Sequence, residues 1–406
     1  MISRGCGRSR VRVLWRRLRA TCASVMVTVV GGAALAQGPS PPPQPRVTIG
    51  YVEIAGDPRY EPITSYGRMV LKRRERPFAG AQLGLDDAQA SARVLKIEFA
   101  LERIPVASAA ELAGAVTKAR DAGVHFFIVD APAAALELLA GAVRGRDILV
   151  FNATASDDTL RRNLCVAEFV HTLPSMAMGM DALMQYLVSR KWTNLLAFEG
   201  PLPADATMTK AFENSAKKFG ARIVARQQFK PGTDPREREK NDPALLSAIN
   251  RDYDVVFVAD HSFDFARTVW YGSIDLEPVA WHWTWEHHGA PQVNSRFQKL
   301  PGGRHMEGAD WAAWIAVKMM AQATLRTRSV DFDKQRKFML EEGSFDGDKG
   351  LAVSVRPWDH QLRQSVLLAA PYSVVARAPV EGFLHKTNEL DTLGDDEPET
   401  PCRLNK

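Results

Sequence analysis

The residues best equipped for chemistry are concentrated in one short run: Trp281, His282, Trp283, Thr284, Trp285, Glu286, His287 and His288. In a helix, His282 and Glu286 would meet one turn apart and could chelate a metal ion. In an extended strand they share a face but stand about 13 Å apart, too far for one ion. Tryptophan at alternate positions favours the strand, with Trp281, Trp283 and Trp285 on one face and His282, Thr284 and Glu286 on the other. Such a stripe is packing core, with Trp283 the member expected to stack on a ligand. The other histidines (His125, His171, His261, His305, His360 and His385) are scattered singly, as structural or surface imidazoles are. No Gly-x-Ser-x-Gly elbow, phosphate-binding loop, Gly-x-Gly-x-x-Gly fingerprint or paired-cysteine metal spacing occurs. Catalysis would need His282, Glu286 and His287, with His305, to hold zinc and activate water. The expectation is a protein without catalysis, cofactor or resident metal.

The elements around this run nominate further candidates. From Val47 onward, strand, loop and helix signals alternate, with strands expected at 47–54, 94–99, 125–129 and 148–151. A capping-box spelling at Ser108 and Glu111 opens a helix carrying Leu112, Val116 and Ala119. The pattern then restarts: helix through Met180 and Leu187, strand 195–198, helix from Met208 to Phe219, strand 223–229, a charged loop at 231–240 and strand 255–258. Two successive βα modules predict two α/β lobes, each with a parallel sheet and right-handed crossovers. Doubly wound sheets contact ligands just past the carboxyl ends of their strands, which nominates the loops at 55–60, 130–134, 152–156, 199–205 and 260–264.

Within those loops, Tyr60 supplies either an aromatic wall or an ordinary exposed ring. Thr154 and Ser156 offer hydroxyls beside a helix N-terminus, where exposed N–H groups favour an anion. Ser156 alternatively caps the turn that follows it. Asp130 adds an acid to the first set of loops. Asp260, His261 and Asp264 bring acids and an imidazole to the second, although Asp264 could merely complement a helix dipole.

Composition sets the frame. Of 406 residues, 46% are hydrophobic and 24% charged, which excludes a disordered chain and implies two lobes rather than one core. The net charge of +5 is misleading, because seven arginines and no acid lie in the first 36 residues. The remainder holds 45 basic against 47 acidic residues, so nucleic acid is not an expected partner. Those arginines precede an apolar stretch from Val25 to Leu35 that ends Ala34-Leu35-Ala36, a secretory signal peptide cleaved after Ala36. Residues 37–46 form a Pro-rich extended leader. No membrane insertion of the mature chain is expected. Cys165 and Cys402 remain after cleavage, and in an oxidising compartment they pair or stay free. The acidic tail, 391–406, is expected to be disordered.

Several stretches carry a family likeness: the opening strand at Val47, the 152–160 loop, Lys191-Trp192 and the strand to Phe198, the turn at 341–350, and the late strand at 364–368. On these, the chain resembles the periplasmic solute-binding proteins of ABC importers, of the leucine/isoleucine/valine-binding type. Residues 281–288 and 356–364 look like the branch found beside pyrroloquinoline-quinone-dependent alcohol oxidation systems. The resemblance implies a type I periplasmic binding protein: two Rossmann-like lobes joined by three crossings, 47–169 plus 290–350 and 170–289 plus 351–390. It implies a monomer in the periplasm that closes on a small-molecule ligand and docks on a membrane permease, or a sensor presenting the liganded surface to a receptor or dehydrogenase. Ligand contacts would come from Tyr60, Asp130, Thr154, Ser156, Asp260, His261, Asp264 and Trp283. One departure stands out: the family's serine-rich carboxylate grip reads Asp130-Ala131-Pro132-Ala133 here, which weakens the case for an amino-acid ligand.

Overall fold

The computed structural model describes residues 44–64, 70–230, 239–248, 252–262, 265–269 and 275–404. The signal segment, most of the leader, and Asp264 lie outside the described residues.

Five parallel strands form the first sheet, in the order Glu98–Val106, Arg46–Ile54, Phe126–Asp130, Leu149–Asn152 and Phe169–His171. Arg46–Ile54 and Phe126–Asp130 are buried at nearly every position because helices cover both faces, which is why they read as continuous apolar runs. On one face Phe78–Leu95 packs against Gly308–Thr327, a 20-residue helix buried at Trp311, Trp314, Ile315 and Met319. The close approach needs Gly80, where a Cβ would collide with the Asp310 carbonyl. On the other face lie Leu112–Asp121 and Ala133–Val143.

A second parallel sheet sets Asn194–Glu199 between Arg222–Gln228 and Val255–Ala259. A third, antiparallel, has the order Glu277–Val279, Val366–Ala370 and Ser373–Ala378. Helix Met176–Ser189 joins these two sheets in one core through Met178, Met184 and Leu187. Three connections, 172–175, 280–289 and 356–365, run between this core and that of the first sheet.

Three expectations need correction. Val94 ends a helix, because apolar Phe78, Ala81, Leu85, Ala88 and Ala92 keep helical spacing up to Leu95, and the strand starts only at Glu98. Residues 281–288 form a turn-rich loop and not a strand. Trp281 and Trp285 are held in the first-sheet core by indole hydrogen bonds to Asn294 (2.9 Å) and the Asp348 carbonyl (3.2 Å), which no strand pairing replaces. The acidic tail is ordered as far as Leu404. Asp391 accepts from Arg356 (2.9 Å) and Arg363 (2.8 Å), Asp395 pairs with Arg162, and Lys218 meets Glu399 (3.3 Å). Leu390 and Leu393 are buried, and a disulfide joins Cys402 to Cys165. The acids that suggested a solvated tail are counter-ions for arginines distant in sequence.

Candidate functional site

At the carboxyl end of the first sheet, three loops converge on Asp130, whose side chain is fully buried. Its Oδ1 accepts from the Tyr60 hydroxyl (2.6 Å) and Arg59 (3.0 Å), and its Oδ2 from Arg76 (3.0 Å) and the Tyr51 hydroxyl (3.3 Å). Arg59 is also held by Asp57, and Arg76 by the Ile54 and Ala55 carbonyls. The Arg76 guanidinium lies 4.4 Å from the Tyr60 ring centre. Burial, reinforced by the Asp130 carboxylate, pushes both tyrosine hydroxyls well above their ordinary range, so they act as hydrogen-bond donors and not as acids. Two guanidiniums and two phenols therefore consume the Asp130 carboxylate.

The neighbouring loop carries Thr154 and Ser156 and is rigid. Asn152 Oδ1 accepts the N–H groups of Thr154 (3.3 Å) and Ala155 (2.9 Å), and the Thr154 hydroxyl donates to the Ala131 carbonyl (3.3 Å). Beneath it, buried Arg161 donates to the Ala155, Asp157 and Leu173 carbonyls at 2.9–3.0 Å. Ser156 is no helix cap; its carbonyl accepts the Met176 N–H (2.8 Å).

At the end of the second sheet, Asp260 is buried and organises its own loop. Oδ1 accepts the Ser262 N–H (3.0 Å) and hydroxyl (2.6 Å), and Oδ2 the N–H groups of Phe265 and Ala266, both at 2.9 Å. The His261 N–H donates to Asp205 (2.7 Å). Trp283 stacks on His305, with ring centres 4.2 Å apart. Among the described residues, no group of three or more His, Cys, Asp or Glu could hold a metal, and the His282 imidazole hydrogen-bonds Thr284 (2.7 Å).

Ser156 and Asp260 line one cavity of about 910 Å³. Its walls are the Val255–Ala259 strand, the Met176–Ser189 helix and the Glu277–Val279 strand, with Met176, Met180, Met208, Phe198, Phe212 and Leu276 facing in. Leu173, Pro174, Ala280 and Gly308 close it on the side of the crossings. The same lining carries Ser156, Ser175 and Ser247 and the acids Asp254, Asp260, Asp275 and Glu277, and apolar walls with convergent polar groups, at this volume, describe a small-molecule site.

Residues 77–268 match the model of a family described as periplasmic binding protein. A branched chain amino acid ABC transporter periplasmic ligand-binding protein from Burkholderia xenovorans has the same fold at 13% identity and TM-score 0.66, over 89% of this chain and 100% of its own. The chain has the type I periplasmic binding protein fold. Two further structures with this fold are the leucine-, isoleucine-, valine-, threonine- and alanine-binding protein of Brucella ovis and an ABC transporter substrate-binding protein of Desulfitobacterium hafniense in complex with Leu. The first gives TM-score 0.62 and 12% identity over 81% of this chain and 90% of its own. The second gives 0.61 and 12% over 81% and 99%. No curated protein matches the sequence.

In this periplasmic binding protein fold, the strand-end rule brings Tyr60, Asp130 and Thr154 into one neighbourhood, and Ser156 and Asp260 onto one cavity. Tyr60, Asp130, Thr154, His261 and Trp283 are not among the residues that line that cavity. Sequence reasoning missed Arg59 and Arg76, which read as solvated charge until Asp130 gives them a buried partner. It also missed Met176, Met180 and Met208 as cavity walls, because methionine at helical spacing looks the same whether it faces core or pocket.

Proposed function

We propose that the chain is the extracytoplasmic solute-binding component of an ABC importer, exported with cleavage after Ala36 and delivering a small molecule to a membrane permease as a monomer. The observation that carries this reading is that Ser156, from a first-sheet loop, and Asp260, from a second-sheet loop, face the same cavity. The fold shared with binding proteins of this transporter class supports it. We assign 47–171 plus 290–355 to one lobe and 176–279 plus 366–390 to the other, joined by the three connections.

The cavity favours an aromatic or otherwise apolar solute bearing an amine or hydroxyls, which the acids Asp254, Asp260, Asp275 and Glu277 in its lining would meet. Thioether and aromatic walls adapt to apolar shapes, whereas the carboxylates in the lining would repel an amino acid's carboxylate. A solute arising from quinone-dependent alcohol oxidation fits this chemistry, and residues 281–288 and 356–364 are the segments that favour that narrower branch. Thermal-shift measurements against alcohols, aromatic amines, polyols, quinones, amino acids and metal ions test the proposal. A true solute stabilises by about 2.7 kcal/mol at a hundredfold excess over its Kd; a panel in which no small organic solute raises the midpoint overturns it.

A further inference from the structure

The two segments that stand out in the sequence, 281–288 and 356–364, both fall in connections between the cores, and a buried lysine links those connections. Lys349 is fully buried. Its Nζ donates to the Ala280 carbonyl in the second connection (3.0 Å) and to Gln364 Oε1 in the third (2.9 Å). Gln364 Nε2 in turn donates to the Thr172 carbonyl in the first (2.7 Å). Gln364 and Thr172 are themselves fully buried. Two side chains therefore tie all three connections together. Burial drives the Lys349 amine below the ordinary lysine range. Nζ also lies 3.5 Å from the centre of the Trp311 ring, so the node is anchored on the long first-lobe helix.

We propose that Lys349 and Gln364 form the pin of the hinge, positioning residues that set the resting angle between the lobes. Domain closure concentrates its backbone rotation in a few linking residues. Hydrogen bonds joining all three links force them to turn together about one point. Lose the pin, and each link turns separately, so the lobes sample a wider range of angles. This inference rests on reading 172–175, 280–289 and 356–365 as the hinge. It makes no assumption about the solute.

The test uses pulsed electron–electron spin distances in the full chain without ligand. The exported chain lacks Cys6 and Cys22, and labels are placed at Leu138→Cys on Ala133–Val143 and Tyr372→Cys on the late hairpin, both exposed positions. The variants are Lys349→Met, Gln364→Leu and the pair combined. Each single substitution strands a backbone carbonyl and the remaining side chain of the pair, whereas the double variant removes both side chains and strands only the Ala280 and Thr172 carbonyls, so it adds little to the cost of either single change. The expected result is a distance distribution at least twofold broader than the parent's in every folded variant. A parent-like width in the double variant overturns the proposal, whatever its melting temperature. Because no solute is present, that failure leaves solute binding standing, while failure of the solute panel leaves this result unaffected.

Discussion

Asp130→Asn probes the charge cluster at the carboxyl end of the first sheet. The substitution keeps size and shape but removes the negative charge that two guanidiniums face. Arg59 keeps Asp57 (2.6 Å) and Arg76 keeps Glu53 (3.6 Å), but their side chains are only 22% and 18% exposed, so water replaces little of the rest. Removing one partner of a buried ion pair costs about 3–5 kcal/mol. For a ~360-residue unit, the unfolding entropy near the midpoint is about 0.8 kcal/mol per degree. A loss of about 4 kcal/mol therefore lowers the midpoint by about 5 °C, or by about twice that if the first lobe melts alone. Tyr60→Phe removes only one hydrogen bond to the same carboxylate, so about 2 kcal/mol and 2–3 °C are expected. Calorimetry at pH 7 reads both. A shift below 1 °C for Asp130→Asn would refute the view that this carboxylate neutralises the cluster.

Other outcomes follow from the same physics. Replacing Cys165 and Cys402 by serine opens a link spanning 237 residues; the chain-entropy model assigns that closure about 5 kcal/mol, to be read as a lower guanidinium midpoint, and an unchanged midpoint contradicts it. His360 is held at about 4 by burial and by the Arg336 guanidinium. A depressed imidazole contributes stability above its unfolded value of about 6.5 that is lost as pH falls toward 4. His360→Asn tolerates the positive φ of 52° at that position and should remove up to about 3 kcal/mol of the stability lost between pH 6.5 and 4. Chemical denaturation at both pH values checks this, and an unaltered pH dependence in the variant rules it out.

Particular residues explain how far the sequence could be read. The parallel strands were legible because covering both faces forces unbroken apolar runs such as Phe126–Asp130. Strand ends then nominated Tyr60, Asp130, Ser156 and Asp260 without any contact being known. The tryptophan run misled because alternation is only a local signal, while Asn294 and the Asp348 carbonyl, distant in sequence, fix Trp281 and Trp285 in a loop. Charge misled for the same reason: Asp391 and Asp395 look solvated until Arg356, Arg363 and Arg162 fold against them. Lys349 carried no signal at all, since a buried lysine spells no motif and its acceptors lie in two separate connections.

The central claim, that this chain clasps a small organic solute, is met most directly by comparing solute-induced thermal shifts in the parent and in Met180→Trp, whose larger indole narrows the cavity. The account expects at least one solute to raise the parent's midpoint saturably, and Met180→Trp to reduce that rise while remaining folded. A rise produced by zinc alone and lost in His282→Ala, or a solute response untouched by Met180→Trp, would contradict it.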